Sequence, residues 1–423
     1  MPQTMPWGEE IEVGMAIGKL GNFFTLDDPD LGQLDGEGVL DGNLEPVDIT
    51  EFVMSMNLTR GRSKNQNEVQ AGVATIVLNN NDRRFDPINE DSPYWDDTVG
   101  RTGVQPRRKV TLRANDNYIF VGAITEVHVN YTADTSTAIV EASDDFVRLA
   151  NLVITVPVTP AVEIAGNRIS TVLDLAEVSY PAGNRSIATG GVQVQALEIA
   201  SGTNVLQYMQ SVALADQALL FIDRDGVFTY TDPLSTTTPA EIVATFVDII
   251  TVSGQVAYQD ISTVNDQTFL YNKVITGKEG GADYVSNDIA SQAQYGISTL
   301  SYQGLLLEND EDVEDLSLSL LAKYALPIYR FDDINFVANA LPQLDRDTLT
   351  DLDIGDTVKV VRTFATGSPL TVEKYYEVAN ITQMITPSAH TITVGLGSFK
   401  TLIYDLILDD PEFGKLDSSN ALG

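Results

Sequence analysis

The run AGVATIVL, Ala71 to Leu78, restricts the fold more than any other stretch. In an extended chain Ala74, Ile76 and Leu78 project to one side and Val73, Thr75 and Val77 to the other, which makes the strand apolar on both faces. Such a strand belongs inside a barrel or a sandwich. It ends at Asn79-Asn80-Asn81-Asp82, whose short side chains bond nearby backbone and compete with the ladder. Asp86-Pro87 then stiffens the exit, because proline holds the residue before it extended. Arg60 to Asn89 thus reads as a strand, a basic loop, a second strand and a fixed turn.

The β pattern extends from Val47 to Ser143. Phe52, Met54, Met56 and Leu58 alternate with Val53, Ser55, Asn57 and Thr59, and Val127, Val129 and Tyr131 alternate with Glu126, His128 and Asn130. Five to six strands in this span suit a small barrel or sandwich, with His128 facing solvent. Asp144 caps a short helix, DDFVRLANL, that leads out of it. From 160 the periodicity becomes mixed. Ile169, Val172, Leu173 and Ala176 fall on one helical face behind Asn167 as N-cap, and Val205, Met209, Val212 and Ala213 do so behind Thr203. Leu219 to Ile222 and Val227 to Thr231 form a hairpin whose Asp225-Gly226 suits a type I′ turn. Val313, Leu316, Leu320 and Tyr324 mark a later helix with acids at its start and Lys323 near its end, matching the helix dipole. Thr357 to Arg362, Lys374 to Met384 and Thr391 to Leu396 restore the β pattern.

The predicted class is α+β, mostly β: two small antiparallel β-barrels flank mixed α/β inserts, with extended arms at the termini. The predicted divisions are an arm at 1–46, a first barrel at 47–150, inserts at 151–235 and 236–325, a second barrel at 326–400 and an arm at 401–423. The arms share a motif. Leu26-Asp27-Asp28-Pro29-Asp30-Leu31-Gly32-Gln33-Leu34-Asp35 recurs as Leu408-Asp409-Asp410-Pro411-Glu412-Phe413-Gly414-Lys415-Leu416-Asp417. Its aspartates lack the alternation, central Gly and distal Glu of an EF-hand loop, so no metal is assigned. It reads as a compact turn with apolar pegs, and Leu26, Pro29, Leu31, Leu34, Leu408, Pro411, Phe413 and Leu416 are candidate docking residues.

Charge decides what the surface can meet. The chain carries 60 acidic and 25 basic residues, a net −35, which repels polyanions such as nucleic acid. Between Arg60 and Arg113, however, ten bases face seven acids. This island is predicted to dock on acidic neighbours, with Arg60, Arg62, Arg83, Arg84, Arg107 and Arg108 as candidate interface residues; ion pairs with the chain's own carboxylates are the alternative. The absence of cysteine excludes disulfides and thiolate chemistry. Two histidines lie in separate β regions, and no GxSxG, HExxH, Walker or GxGxxG pattern sits in a suitable context, so neither catalytic residues nor a cofactor are assigned. No stretch reaches the roughly 18 apolar residues of a membrane span, and MPQTMPWGEE lacks the features of a signal peptide.

The run RGRS to QAGVATIVLNNNDRRFDPIN to SPY, followed by PRRKVTLRAN, IFVGAITE, DFVRLANL, LLFIDRDGVFTYTD, YNKVITGKEGG and DLDIGDTVKVVRT, resembles the minor tail or tail-tip hub proteins of bacteriophages with long, non-contractile tails. The order of these turn and strand motifs carries the resemblance more than any one of them, and residues 236 to 265 carry none of it. The resemblance implies a homotrimeric structural hub in the virion, assembled in the host bacterial cytoplasm. Two like barrels per subunit would mimic six-fold symmetry beneath a distal tail protein ring. Implied partners are that ring, the tape measure protein and other tail-tip or fibre proteins, and implied too is a channel that phage DNA passes without specific binding. The competing readings are a host-surface glycan-recognition protein, suggested by Tyr94 and Trp95, and a tail-associated glycan hydrolase, for which 60 acids supply carboxylates without fixing their separation.

Overall fold

The computed structural model describes residues 11–18, 45–62, 69–97, 99–231, 242–265 and 267–399, together with a short parallel pairing of Tyr404–Asp405 with Asn420–Ala421. Both LDDP motifs lie outside the described residues.

The first β region contains β1 (Ile11–Met15), β2 (Val47–Asp48), β3 (Val53–Arg62), β4 (Val69–Asn79), the small pair β5 (Trp95–Asp96) and β6 (Arg101–Thr102), then β7 (Lys109–Ala114), β8 (Asn117–Tyr131) and β9 (Ser136–Ser143). Its main strands run in the order β3-β4-β9-β8-β7-β1-β2, all antiparallel. Two expectations change here. A bulge between Val53 and Ser55 swaps the faces of β3, so Val53, Met56 and Leu58 are buried while Met54 is exposed. In β4 Ala74, Ile76 and Leu78 are fully buried on one face. On the other face Val69 is buried and Ala71 half-buried against the second core, but Val73 is 41% exposed, so that side is covered only at the start of the strand. Ala74, Ile76 and Leu78 pack with Ile11, Val13, Leu112, Phe120 and Val140 in a core of their own.

The middle of the chain holds α1 (Asp145–Ala150), β10 (Glu163–Ile164), α2 (Ala165–Leu173), β11 (Arg185–Ile187), β12 (Gln193–Val194), α3 (Val205–Asp216), β13 (Leu219–Ile222) and β14 (Phe228–Thr231). Asp144 caps α1 by accepting from the Phe146 N–H at 3.0 Å. Helix α2 begins at Ala165 without a side-chain cap. Asn167 therefore sits inside it, and Ala176 falls beyond its end, exposed. The cap of α3 is Asn204, one residue past Thr203, accepting from the Gln207 N–H at 3.0 Å. The β13–β14 hairpin pairs as predicted, but its turn differs. Only Gly226 has positive φ (81°), and type I′ needs two such residues.

Next come β15 (Ile242–Val247), β16 (Gln255–Ala257), β17 (Asp260–Val264), β18 (Lys273–Lys278), β19 (Asp283–Asn287), α4 (Ile289–Tyr295), β20 (Thr299–Leu305) and α5 (Asp310–Tyr324). Strands β18 to β20 form a small sheet against α5, with Val274, Leu305, Val313, Leu316 and Leu320 in a third core. The chain ends its described part with β21 (Arg330–Val337), α6 (Gln343–Thr350), β22 (Thr357–Thr363), β23 (Thr371–Thr386) and β24 (Ala389–Phe399).

The second β region is larger than the periodicity showed. Strands β15, β16 and β17, from the stretch without a readable pattern, join it in the order β16-β15-β22-β23-β24-β21-β17. β15 lies parallel to both β16 and β22, so this half is mixed and not purely antiparallel. Nor do the described strands close into two separate barrels. β23 pairs with β22 through residues 371–377 and, farther along the same edge, with β3 through residues 380–385, while β24 holds its other edge. The described strands thus form one branched 14-stranded sheet, with no closed ring among them. The physical reason is the length of β23. At sixteen residues it outruns its own region and contributes Ile385 to the first core and Tyr376, Val378 and Ile381 to the second. That second core also takes in α1, α2, α3 and the β13–β14 hairpin.

Candidate functional site: a charged seam and a basic ledge

The seam is built where β3 meets β23. Gly61 faces Asn380 at φ 110°, and a Cβ there would fall 2.3 Å from the Ala379 carbonyl oxygen and 2.7 Å from Asn380 Cα. Only glycine allows the strands this approach. The flanking arginines turn inward. Arg60, 4% exposed, donates from Nη1 to Asp353 Oδ1 at 2.8 Å. Arg62, 8% exposed, donates to Glu377. Asp353 also accepts the Arg224 backbone N–H on Oδ2 at 2.9 Å, while Arg224 Nη1 reaches Asp351 at 2.6 Å. One cluster thereby fastens the first β region, the β13–β14 hairpin and the second β region together. Asn115 and Asn117 add bonds to Asp347 (2.7 Å) and Asp351 (3.2 Å).

On the other side of Arg60 lies Asp144, whose oxygens accept from the N–H groups of Gly72 (2.6 Å) and Phe146. Burial pushes its carboxyl up to about 7, against the pull of those two donors and of Arg60. Burial likewise raises Asp223 and Asp356, with Asp353 adding like charge to each. These raised carboxylates hold backbone turns and caps: Asp223 accepts from Asp225 and Val227, and Asp356 from the Asp353 N–H.

The six candidate interface arginines therefore separate into three groups. Arg60 and Arg62 are consumed inside the molecule, so a neighbour cannot reach them. Arg83 and Arg84 take the alternative of local pairing. Arg83 grips Asp86 through Nε (2.9 Å) and Nη2 (2.7 Å), and Arg84 Nε holds Asp82 at 2.6 Å with its guanidinium over the Phe52 ring. The surrounding turn is pinned by Asn80, fully buried, which accepts from Phe85 and donates to Ser136. Asp86 is held below its usual range chiefly by Tyr131, the Ile88 N–H and Arg83, against the burial that raises it. Arg107 and Arg108 are different. With Arg101 and Lys109 they form an outward ledge, and no side-chain hydrogen bond or ion pair ties these three arginines to the described residues. Burial and the neighbouring Arg101 both hold Arg108 below the usual arginine range.

Beside this ledge opens a cleft of about 490 Å3 lined by Trp95, Arg101, Val104, Gln105, Pro106 and Glu126, among others. Trp95 is half-buried there, but Tyr94 points into the core, stacked on Phe85 with ring centroids 5.7 Å apart. His128 is exposed beside Glu126 at 3.2 Å. His390 is buried against Gln383 at 3.1 Å, and burial lowers its pKa to about 4. Among the described residues no cluster of three or more His, Asp or Glu could hold a metal ion, and no helix is long and apolar enough to cross a membrane.

Periodicity missed Asp353, Glu377 and Arg224 because their roles depend on pairing across roughly 130 to 315 residues. The available signal was Gly61 between two arginines on a strand, where an exposed edge would not need glycine.

No protein-family model matches the sequence, and no curated protein sequence shows significant similarity to it. Solved structures do match. A tail protein from Neisseria meningitidis MC58 superposes with a TM-score of 0.57 at 10% identity, covering 93% of this chain and 97% of that one. The prophage MuSo2 43 kDa tail protein from Shewanella oneidensis superposes with a TM-score of 0.56 at 11% identity, covering 92% and 98%. Over more than nine-tenths of its length, the chain has the fold of these two tail proteins.

Proposed function

We propose that the chain is a structural hub of a bacteriophage tail tip: a homotrimer that connects the tail tube or distal tail ring to the tip and forms part of the DNA exit channel. The observation that carries this reading is the joining of two seven-stranded halves through β3 and β23 into one sheet. A subunit that presents two comparable β surfaces can meet a six-fold ring as a trimer, each half occupying one of six positions. The end-to-end fold match to two tail proteins supports it, as does the acidity. With a net charge of −35, a channel wall of this protein repels DNA phosphate and lets the genome slide. In this reading the two LDDP segments serve as docking arms, toward grooves on subunits of the ring or on neighbouring tail proteins.

Light-scattering mass measurement and negative-stain imaging of the full chain test it. The expected result is a ring-shaped trimer of about three times 45.9 kDa that is incorporated at the tip of assembling tails. A strict monomer that never enters tails would refute the reading.

A further inference from the structure

The cleft beside Trp95 has a chemistry that the hub reading does not use. Elsewhere in this acidic chain arginines such as Arg60, Arg113, Arg148 and Arg185 meet a carboxylate of their own chain. Arg101, Arg107 and Arg108 meet none among the described residues. Arg107 even occupies the left-handed region at φ 68°, where glycine would fit at less cost, with its N–H bonded to the Ile124 carbonyl at 2.6 Å. Arg101 lines an open cleft with Trp95, Val104, Pro106 and one carboxylate, Glu126, which lies 3.2 Å from His128, and Arg107 and Arg108 follow Pro106 at its rim. That combination suits an acidic segment carrying apolar side chains.

The chain supplies one at the right place. Gly103, whose neighbours Thr102 and Val104 line the cleft, packs so closely on Ile17 and Gly18 that a Cβ would fall 2.1 Å and 2.4 Å from their carbonyl oxygens. Gly18 is the last described residue before 19–44, a segment with six acids (Asp27, Asp28, Asp30, Asp35, Glu37, Asp41) and one base, Lys19. From Gly18 to Leu26 an extended chain reaches roughly 26 Å, enough to bring the LDDP motif over the ledge. We propose that this cleft is the receptor for Leu26 to Asp35: the aspartates face Arg101, Arg107 and Arg108, and the leucines enter beside Trp95. The proposal stands on the chemistry of the cleft and holds whether or not the chain is a hub.

The absence of native cysteine gives a direct test. In the full chain, Gln105→Cys and Leu31→Cys are combined and mildly oxidised, with Thr299→Cys and Leu31→Cys as the control pair. The expected result is a disulfide forming at least tenfold faster than in the control, within one chain or between two copies, either of which supports the assignment. Adding R101E and R108E should bring the rate to that of the control at unchanged melting temperature. R101Q with R107Q, both exposed positions, serves if the charge reversal impairs folding. Excess LDDPDLGQLD peptide should slow the reaction, and its LNNPNLGQLN counterpart should not. A rate equal to the control in a folded protein, or one indifferent to the arginines, overturns the proposal. So does an acidic saccharide that occupies the cleft while the cysteines stay unlinked. Because the isolated chain is tested, a failure here leaves trimer formation untouched and is distinguishable from failure of the hub reading.

Discussion

Replacing Asp353 by Asn probes the seam with a single atom changed. The amide oxygen can still accept the Arg224 N–H that Asp353 Oδ2 accepts at 2.9 Å, but the other position becomes a donor facing Arg60 Nη1, now 2.8 Å from a carboxylate oxygen. Arg60 is 4% exposed, so its charge cannot turn to water, and its Nε has no hydrogen-bond partner among the described residues. Removing one partner of a buried pair costs about 3–5 kcal/mol. Asp353 is itself 19% exposed, and some solvent screening places the expected loss near 3 kcal/mol. In urea the midpoint should fall at unchanged slope, and the melting temperature should drop by roughly 6–12 °C for a cooperative unit near 200 residues. The double variant R60M/D353N removes the stranded charge and should recover about 2 kcal/mol relative to D353N alone. A D353N protein within about 0.5 kcal/mol of the parent, or a double variant equal to the sum of the singles, would refute a desolvated seam.

Two other predictions address the same region and the second core. Gly61→Ala forces a side chain into φ 110° and against the Ala379 carbonyl at 2.3 Å, so it should cost more than about 3 kcal/mol and raise hydrogen exchange in β3 and β23 ahead of the rest of the sheet; unchanged exchange there would contradict the close crossing. His390 has a folded pKa of about 4 against 6.5 unfolded, so its contribution of about 3 kcal/mol is complete above pH 6.5 and is lost as pH falls toward 4. Asp144, about 7 folded against 3.8 unfolded, contributes most below pH 3.8 and loses that contribution as pH rises toward 7. The two slopes oppose each other between pH 4 and 6.5, so His390→Leu should make stability fall more with rising pH over this window than it does in the parent; parallel pH profiles would disprove it.

Much of the architecture was legible because it is local. The α1 cap at Asp144, the α3 stripe, the β13–β14 hairpin and the strands Thr357 to Arg362 and Thr391 to Leu396 rest on neighbours within a few residues. What failed was set by tertiary context. The bulge at Val53 reverses a face that alternation alone assigns the other way. β15 to β17 are short strands recruited by partners far along the chain, which no window of sequence reveals. For the candidate site, composition found the basic island but could not separate its members. Arg60 and Arg107 are the same residue type on β-region segments, and only the arrival of Asp353 at one and of no described carboxylate at the other divides them.

The union of β3 with β23 also sets an order of events during synthesis. Arg60 and Asp353 are 293 residues apart, and Arg62 and Glu377 are 315 apart. At about 5–20 residues per second, β3 leaves the ribosome roughly 15–60 s before the strand that completes it. Throughout that interval the first β region, with all of its core but Ile385 already made, carries an open strand edge of the kind that templates aggregation. Two cations and a glycine on that edge deter chance pairing with other apolar strands, and they are discharged only when Asp353 and Glu377 appear. The seam thus leaves one strand edge without its partner until one late-made strand arrives.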